Sequence, residues 1–109
     1  MPFNEVLAER IRKQLKRKKG IEEKKMFGGL GFLLNGNMLV GVWKEALIVR
    51  LGPELGAEAL LDDHVKPMDI TGTPMKGWIM VEPPGFGEDE QLQDWLGRAL
   101  KFVSKLPKK

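Results

Sequence analysis

The sequence predicts an α+β fold: two layers, with an antiparallel β-meander of about four to five strands packed against N- and C-terminal helices. Three observations carry that expectation. Phe3, Leu7, Ile11 and Leu15 recur every four residues and form one apolar stripe on a helix. Asn35-Gly36 lies between two apolar runs, and this pair marks a hairpin because both central residues of a type I′ turn need positive φ. Leu92, Trp95, Leu96, Ala99, Leu100 and Val103 repeat the i, i+3, i+4, i+7 spacing of a second amphipathic helix.

Each element has its own local signal. Asn4 is placed to cap the first helix and Gly20 to stop it. After a short polar link, "KKMFGGLGFLL" and "NMLVGVW" form the two strands of the hairpin. Met38, Val40 and Val42 are expected on one side of it, Leu39 and Trp43 on the other. A turn at Lys44-Glu45 leads into the β-branched strand "ALIVRL", which Gly52-Pro53 ends. "PELGAEALLDD" reads as a short helix with Pro53 at its first position and Glu54 near its positive end. "HVKPMDITGTPM" reads as an ordered loop with a short extended piece at Met68–Ile70, and "KGWIMVE" as a fourth strand that stops at Pro83-Pro84. Glu88, Asp89 and Glu90 before the last helix, with Lys105 after it, complement its dipole.

At 109 residues the chain fits a single domain spanning 1–109. A hydrophobic share of 42% separates it from disordered chains. No run approaches the ~20 apolar residues of a membrane span, and "MPFNEVLAER" lacks a signal-peptide pattern. The expected location is cytoplasmic, with no membrane partner. The absence of cysteine excludes disulfides, thiolate metal sites and a cysteine nucleophile. The net charge of +3 conceals a division. Residues 1–26 hold nine Lys/Arg against four Glu, residues 52–94 hold two bases against ten acids, and residues 95–109 hold five bases and no acid. Both ends are basic and the middle is acidic.

The glycines at 28, 29 and 31 invite a phosphate-loop reading. A P-loop needs G-x-x-x-x-G-K-[ST], and the dinucleotide fingerprint needs G-x-G-x-x-G opening a helix. Neither pattern is present, so the glycines are read as marking a bulge, a bend or a close backbone approach. His64 follows Asp62-Asp63, but adjacent loop residues diverge, whereas a metal needs three or four convergent ligands. Glu88, Asp89, Glu90 and Asp94 read as a solvated helix start. Ser104, the sole serine, is far in sequence from His64. No catalytic residue, metal or cofactor is expected. Arg10, Lys13, Lys16, Arg17 and Lys19 on the first helix are candidates for contact with nucleic acid or a protein partner. Trp43, Trp78, Met38, Met75 and Met80 lie on or beside strands whose two faces are both apolar, which predicts a homodimer or a partner-bound form.

Met26-Phe27-Gly28-Gly29 with Gly31 ahead of the hairpin, and Pro74-Met75 with Gly77-Trp78 before the last strand, resemble the N-terminal domain of the TfoX/Sxy family. The resemblance runs from about Phe3 to Pro107. It implies helices packed on one curved antiparallel sheet, similar to secretion chaperones, and frequent dimerisation. Full-length members regulate natural competence genes together with a cyclic-AMP receptor protein and carry a second, helical C-terminal domain. This chain is expected to correspond to the first domain alone. The resemblance implies no reaction for that domain and makes the nine motif positions structural or interfacial.

Overall fold

A computed structural model of the chain, which describes residues 3–26, 28–68 and 77–108, bears out the α+β architecture. Helix α1 (Glu5–Leu15) opens at Asn4, whose side-chain oxygen accepts from the Leu7 N–H at 3.1 Å. One orphan donor of the first turn is thereby satisfied. The helix leaves off at Lys16, earlier than the expected stop, and Gly20 (φ +84°) instead forms the turn into the sheet.

Four strands follow as consecutive hairpins: β1 (Ile21–Met26), β2 (Gly29–Leu34), β3 (Asn37–Trp43) and β4 (Ala46–Arg50). The β2–β3 turn is Asn35-Gly36 with φ of 53° and 86°, the positive pair a type I′ turn requires. Lys44 at φ 54° makes the next turn. Helix α2 (Pro53–Ala59), β5 (Val65–Pro67), β6 (Trp78–Val81), a 3-10 helix (Pro83–Phe86) and α3 (Asp89–Val103) complete the chain. Among the described residues the sheet has six strands in the order β1-β2-β3-β4-β6-β5.

The strand count exceeds the expected four to five because both edge strands are polar and short of pattern. β1, "IEEKKM", takes in the polar link and the first three residues of the expected strand "KKMFGGLGFLL", which the turn at Gly28 (φ +77°) breaks into β1 and β2. β5, "VKP", falls where a loop is expected. Charges and proline on edges are how natural sheets avoid pairing with other chains. Of the extended piece at Met68–Ile70, Met68 donates its N–H to the Trp78 carbonyl at 3.5 Å; the other two residues lie outside those described.

Ladder partners share a face, so the register shows what each side of the sheet carries. Leu30, Phe32, Val40, Val42, Leu47, Val49, Ile79 and Val81 line one face. They join Leu7, Ile11 and Leu15 of α1, Ala59 of α2, Phe86, and Leu92, Trp95, Leu96, Ala99 and Val103 of α3 in one buried core. All three helices therefore cover the same side. Arg10 pins α1 to the start of α3, donating to the Phe86 carbonyl at 2.9 Å and pairing with Asp89 at 3.2 Å, while Gln14 donates to the Asp89 carbonyl at 3.1 Å. Trp95 Nε1 donates to the Gly85 carbonyl at 3.0 Å, which satisfies the polar end of a buried indole.

One bulge changes the faces of β3. Phe32 is opposite Val40 but Leu33 is opposite Met38, which leaves Leu39 as the extra residue. Leu39 is fully buried in the core, and Met38 turns to the opposite side. The expected grouping of Met38 with Val40 and Val42, and of Leu39 with Trp43, is corrected accordingly: one added residue flips every side chain before it. The register shift also falls between Phe32 and Leu33, so no glycine makes it.

Candidate functional surface

The glycine-rich segment is a structural joint. Gly28 makes the β1–β2 turn, and Gly29 begins a strand, so no helix N-terminus stands behind these backbone N–H groups to receive a phosphate. A Cβ on Gly29 would overlap the Val42 carbonyl oxygen, so this position is glycine because β3 passes too close for a side chain. Gly77 serves a second joint. Its carbonyl accepts from Leu51 N–H at 2.9 Å and Gly52 N–H at 3.1 Å, and a Cβ on it would sit 3.0 Å from the Gly52 carbonyl carbon. That contact seats the start of α2 on the entry to β6. Trp78 pairs across the ladder with Arg50, whose guanidinium lies 5.0 Å from the indole centroid and 5.9 Å from the Phe102 ring. Burial lowers the Arg50 pKa. Met26 and Gly31 lie on β1 and β2, whereas Phe27, Pro74 and Met75 are outside the described residues.

The face of the sheet away from the helices is the first candidate surface. The register aligns Lys24, Gly31, Gly41, Ile48, Met80 and Lys66 in one row across all six strands. Beside it stand Leu33 and Met38 on one flank and Trp43 with Ala46 on the other. Leu33, Met38, Trp43 and Met80 are half-buried, while Ile48 is only 3% exposed. The Met38 Cε lies over Gly41, 2.9 Å from where a Cβ would stand. Two glycines side by side flatten the middle of this face, and the flanking methionine closes over one of them. The alternation of Ala46, Ile48 and Arg50 against Leu47, Val49 and Leu51 already sets Ile48 on this side in the sequence, whereas the pairing of Leu33 with Met38 follows from the bulge at Leu39.

The basic helix is the second candidate, and the structure divides its residues. Arg10 faces α3, and Arg12 is held by Glu23 at 2.8 Å and Glu9 at 2.9 Å. Those hydrogen bonds raise the Arg12 pKa and lower that of Glu23. Lys13, Lys16, Arg17 and Lys19 are exposed, as is Lys18. They run from the last turn of α1 into the link before β1.

Other polar groups have structural roles. The His64 N–H donates to Asp62 Oδ1 at 2.8 Å and its carbonyl accepts from Glu82 N–H at 2.8 Å, starting β5. Gln91 Oε1 accepts from the Glu88 N–H at 2.9 Å, capping α3. Asp94 pairs with Arg98 at 2.7 Å. Among the described residues no three His, Cys, Asp or Glu side chains gather as a metal site. Two open cavities of about 390 Å³ each flank α2 and share Leu55 and Lys101; neither contains a nucleophile with an adjacent base. No helix among the described residues is long and apolar enough to cross a membrane.

Comparison with known families matches the chain to the TfoX N-terminal domain over residues 13–103. The matched span runs from within α1 to the end of α3 and includes the whole sheet. No curated protein sequence matches the chain.

Proposed function

Because the chain belongs to the TfoX N-terminal domain family, we propose that it is a non-enzymatic regulatory domain that acts through protein contacts as a homodimer. The helix-free face of the sheet is the observation that carries this reading. Its Leu33, Met38, Trp43 and Met80 combine apolar surface with side chains that adapt to an opposing shape. Gly31, Gly41 and Ile48 between them are buried, with the Met38 tip folded over Gly41, so the contact surface is the half-buried ring of these four side chains. The family is not one of known enzymes, which agrees with the dispersed polar groups described above. The family resemblance supports a role in transcription regulation in the cytoplasm, with natural competence as its setting in full-length members. The motif positions Gly29 and Gly77 then serve to hold the sheet that presents the interface.

Light scattering coupled to size exclusion at micromolar concentration tests the reading. A mass of twice 12.3 kDa is expected, falling to the monomer when Met80→Glu puts a charge in the middle of the face. A wild-type monomer that also retains no partner in a pull-down would overturn it.

A further inference from the structure

We infer that the two basic ends of the chain form a single surface for the phosphate backbone of duplex nucleic acid. This goes beyond the dimer reading and does not depend on it. Lys16, Arg17, Lys18 and Lys19 are exposed after α1, and Lys105 and Lys108 are exposed after α3. Nearly ninety residues separate the groups in sequence, yet two hydrogen bonds bring them to the same end of the sheet. The Gly20 carbonyl accepts from the Asn35 N–H at 2.9 Å, which places Lys19 beside the β2–β3 turn. The Asn37 side chain, itself only 4% exposed, donates to the Pro107 carbonyl at 2.8 Å, which places Lys108 on the other side of that turn. Ile21, Leu34 and Asn37 are successive ladder partners, so the cations flank three neighbouring strand ends, about 10 Å across.

The charge there is predominantly positive, although Glu54 lines a cavity together with Lys105. Among the described residues none of the six cations has a carboxylate partner, in contrast to Arg10, Arg12, Lys66 and Arg98. Residues 95–109 hold no acid at all, and Glu22 is the single carboxylate between positions 16 and 22. Duplex DNA carries about one charge per 1.7 Å of axis, so 10 Å of it presents about six phosphates.

The surroundings choose among polyanions. Among the described residues the exposed large hydrophobics are Val6, Leu55, Leu60 and Leu61, at the start of α1 and around α2. Leu55 shares a cavity with Lys105, but a single half-exposed leucine is too little apolar surface to anchor a basic segment in a bilayer. Trp43 is at the opposite end of β3, and Trp78 and Phe102 face the Arg50 guanidinium. Without a stacking platform, a single strand gains nothing over a duplex.

Fluorescence anisotropy of a labelled 20-base-pair duplex, titrated between 25 and 300 mM salt, tests the inference. Six cations, each neutralising one phosphate, give a slope of log affinity against log salt of about −5. Lys18→Glu/Lys19→Glu and Lys105→Glu/Lys108→Glu should each reduce that slope by about two, while the charge-matched control Lys44→Glu/Lys66→Glu leaves it unchanged. Circular dichroism confirms that each variant is folded. An unchanged slope for Lys105→Glu/Lys108→Glu would overturn the joint surface, since the N-terminal segment would then bind alone. Tighter binding to the separated single strand, equal capture by phosphatidylserine vesicles, or no binding at 25 mM salt would each overturn the duplex assignment. Scattering of the same variants reads the dimer separately, so failure of one proposal is distinguishable from failure of the other.

Discussion

The two faces of this sheet are made by alternate residues of the same strands, yet they differ in kind. The helix-covered face offers Phe32, Val40, Leu47, Val49 and Ile79, almost all branched or aromatic and all buried. The other offers Gly31, Gly41, Met38 and Met80 around a single Ile48. Stiff, branched side chains specify one packing, whereas glycine and methionine permit several. On the proposed reading, one strand encodes the fold on one set of positions and a contact on the other. A protein that needed only to fold would gain more from β-branched residues on both faces.

The largest effect is expected where packing is most specific. Phe32→Ala should lower unfolding free energy by about 3–5 kcal/mol, read as a fall in the urea midpoint. If it costs no more than a substitution on the other face, the two sides are not built differently. Gly41→Ala tests the flat face next. A Cβ there would stand 2.9 Å from the flexible Met38 tip but 3.0 Å from the Leu30 carbonyl oxygen, which is backbone. We expect a loss of about 1–3 kcal/mol from this overpacking. Met80→Ala is expected to lower the stability of the isolated chain by only about 1 kcal/mol, since the side chain is half-buried. It should nonetheless weaken self-association about tenfold or more, as measured by sedimentation over a concentration series.

The smallest effect lies at the rim, where Glu23 of β1 meets Arg12 of α1. Arg12 hydrogen bonds hold the Glu23 carboxyl below its usual range. A carboxylate with a depressed folded pKa adds stability above its unfolded pKa of about 4.3 and loses it as pH falls through the lower folded value. Wild type should therefore lose this increment on acidification below about pH 4, and Glu23→Gln should not show that part of the decline. Because the pair is partly exposed, the difference should stay within about 0.5 kcal/mol and shrink with added salt.

How much of this was legible in the sequence depends on which residues carried a period. Asn35-Gly36 announced its hairpin because turn geometry depends on those two residues alone. The stripe from Leu92 to Val103 announced α3 because burial on one side imposes a 3.6-residue repeat. β1 and β5 carried no such mark. An edge strand with solvent on several sides needs no alternation, and its pairing is decided by its neighbour. Leu39 was misassigned because a bulge is set by the packing of β3 beneath α3 and leaves no trace in the local pattern. Of the candidate surfaces, the charges themselves were plain. That Arg10 would turn inward to the Phe86 carbonyl, and that Lys108 would lie near Lys19, depend on long-range hydrogen bonds that no local spacing reports.

The place of β6 between β4 and β5 has a consequence in time. The hairpins of β1 to β4 can close within microseconds of leaving the ribosome, but the strand that completes β4 lies roughly 30 residues further on. At a synthesis rate of about 5–20 residues per second, that distance amounts to a few seconds. Throughout that interval Leu47, Ile48 and Val49 stand on an open edge able to adhere to any passing strand. The newborn chain is thus at its most adhesive after four of its six strands exist, and translation speed across residues 51–81 sets how long that exposure lasts.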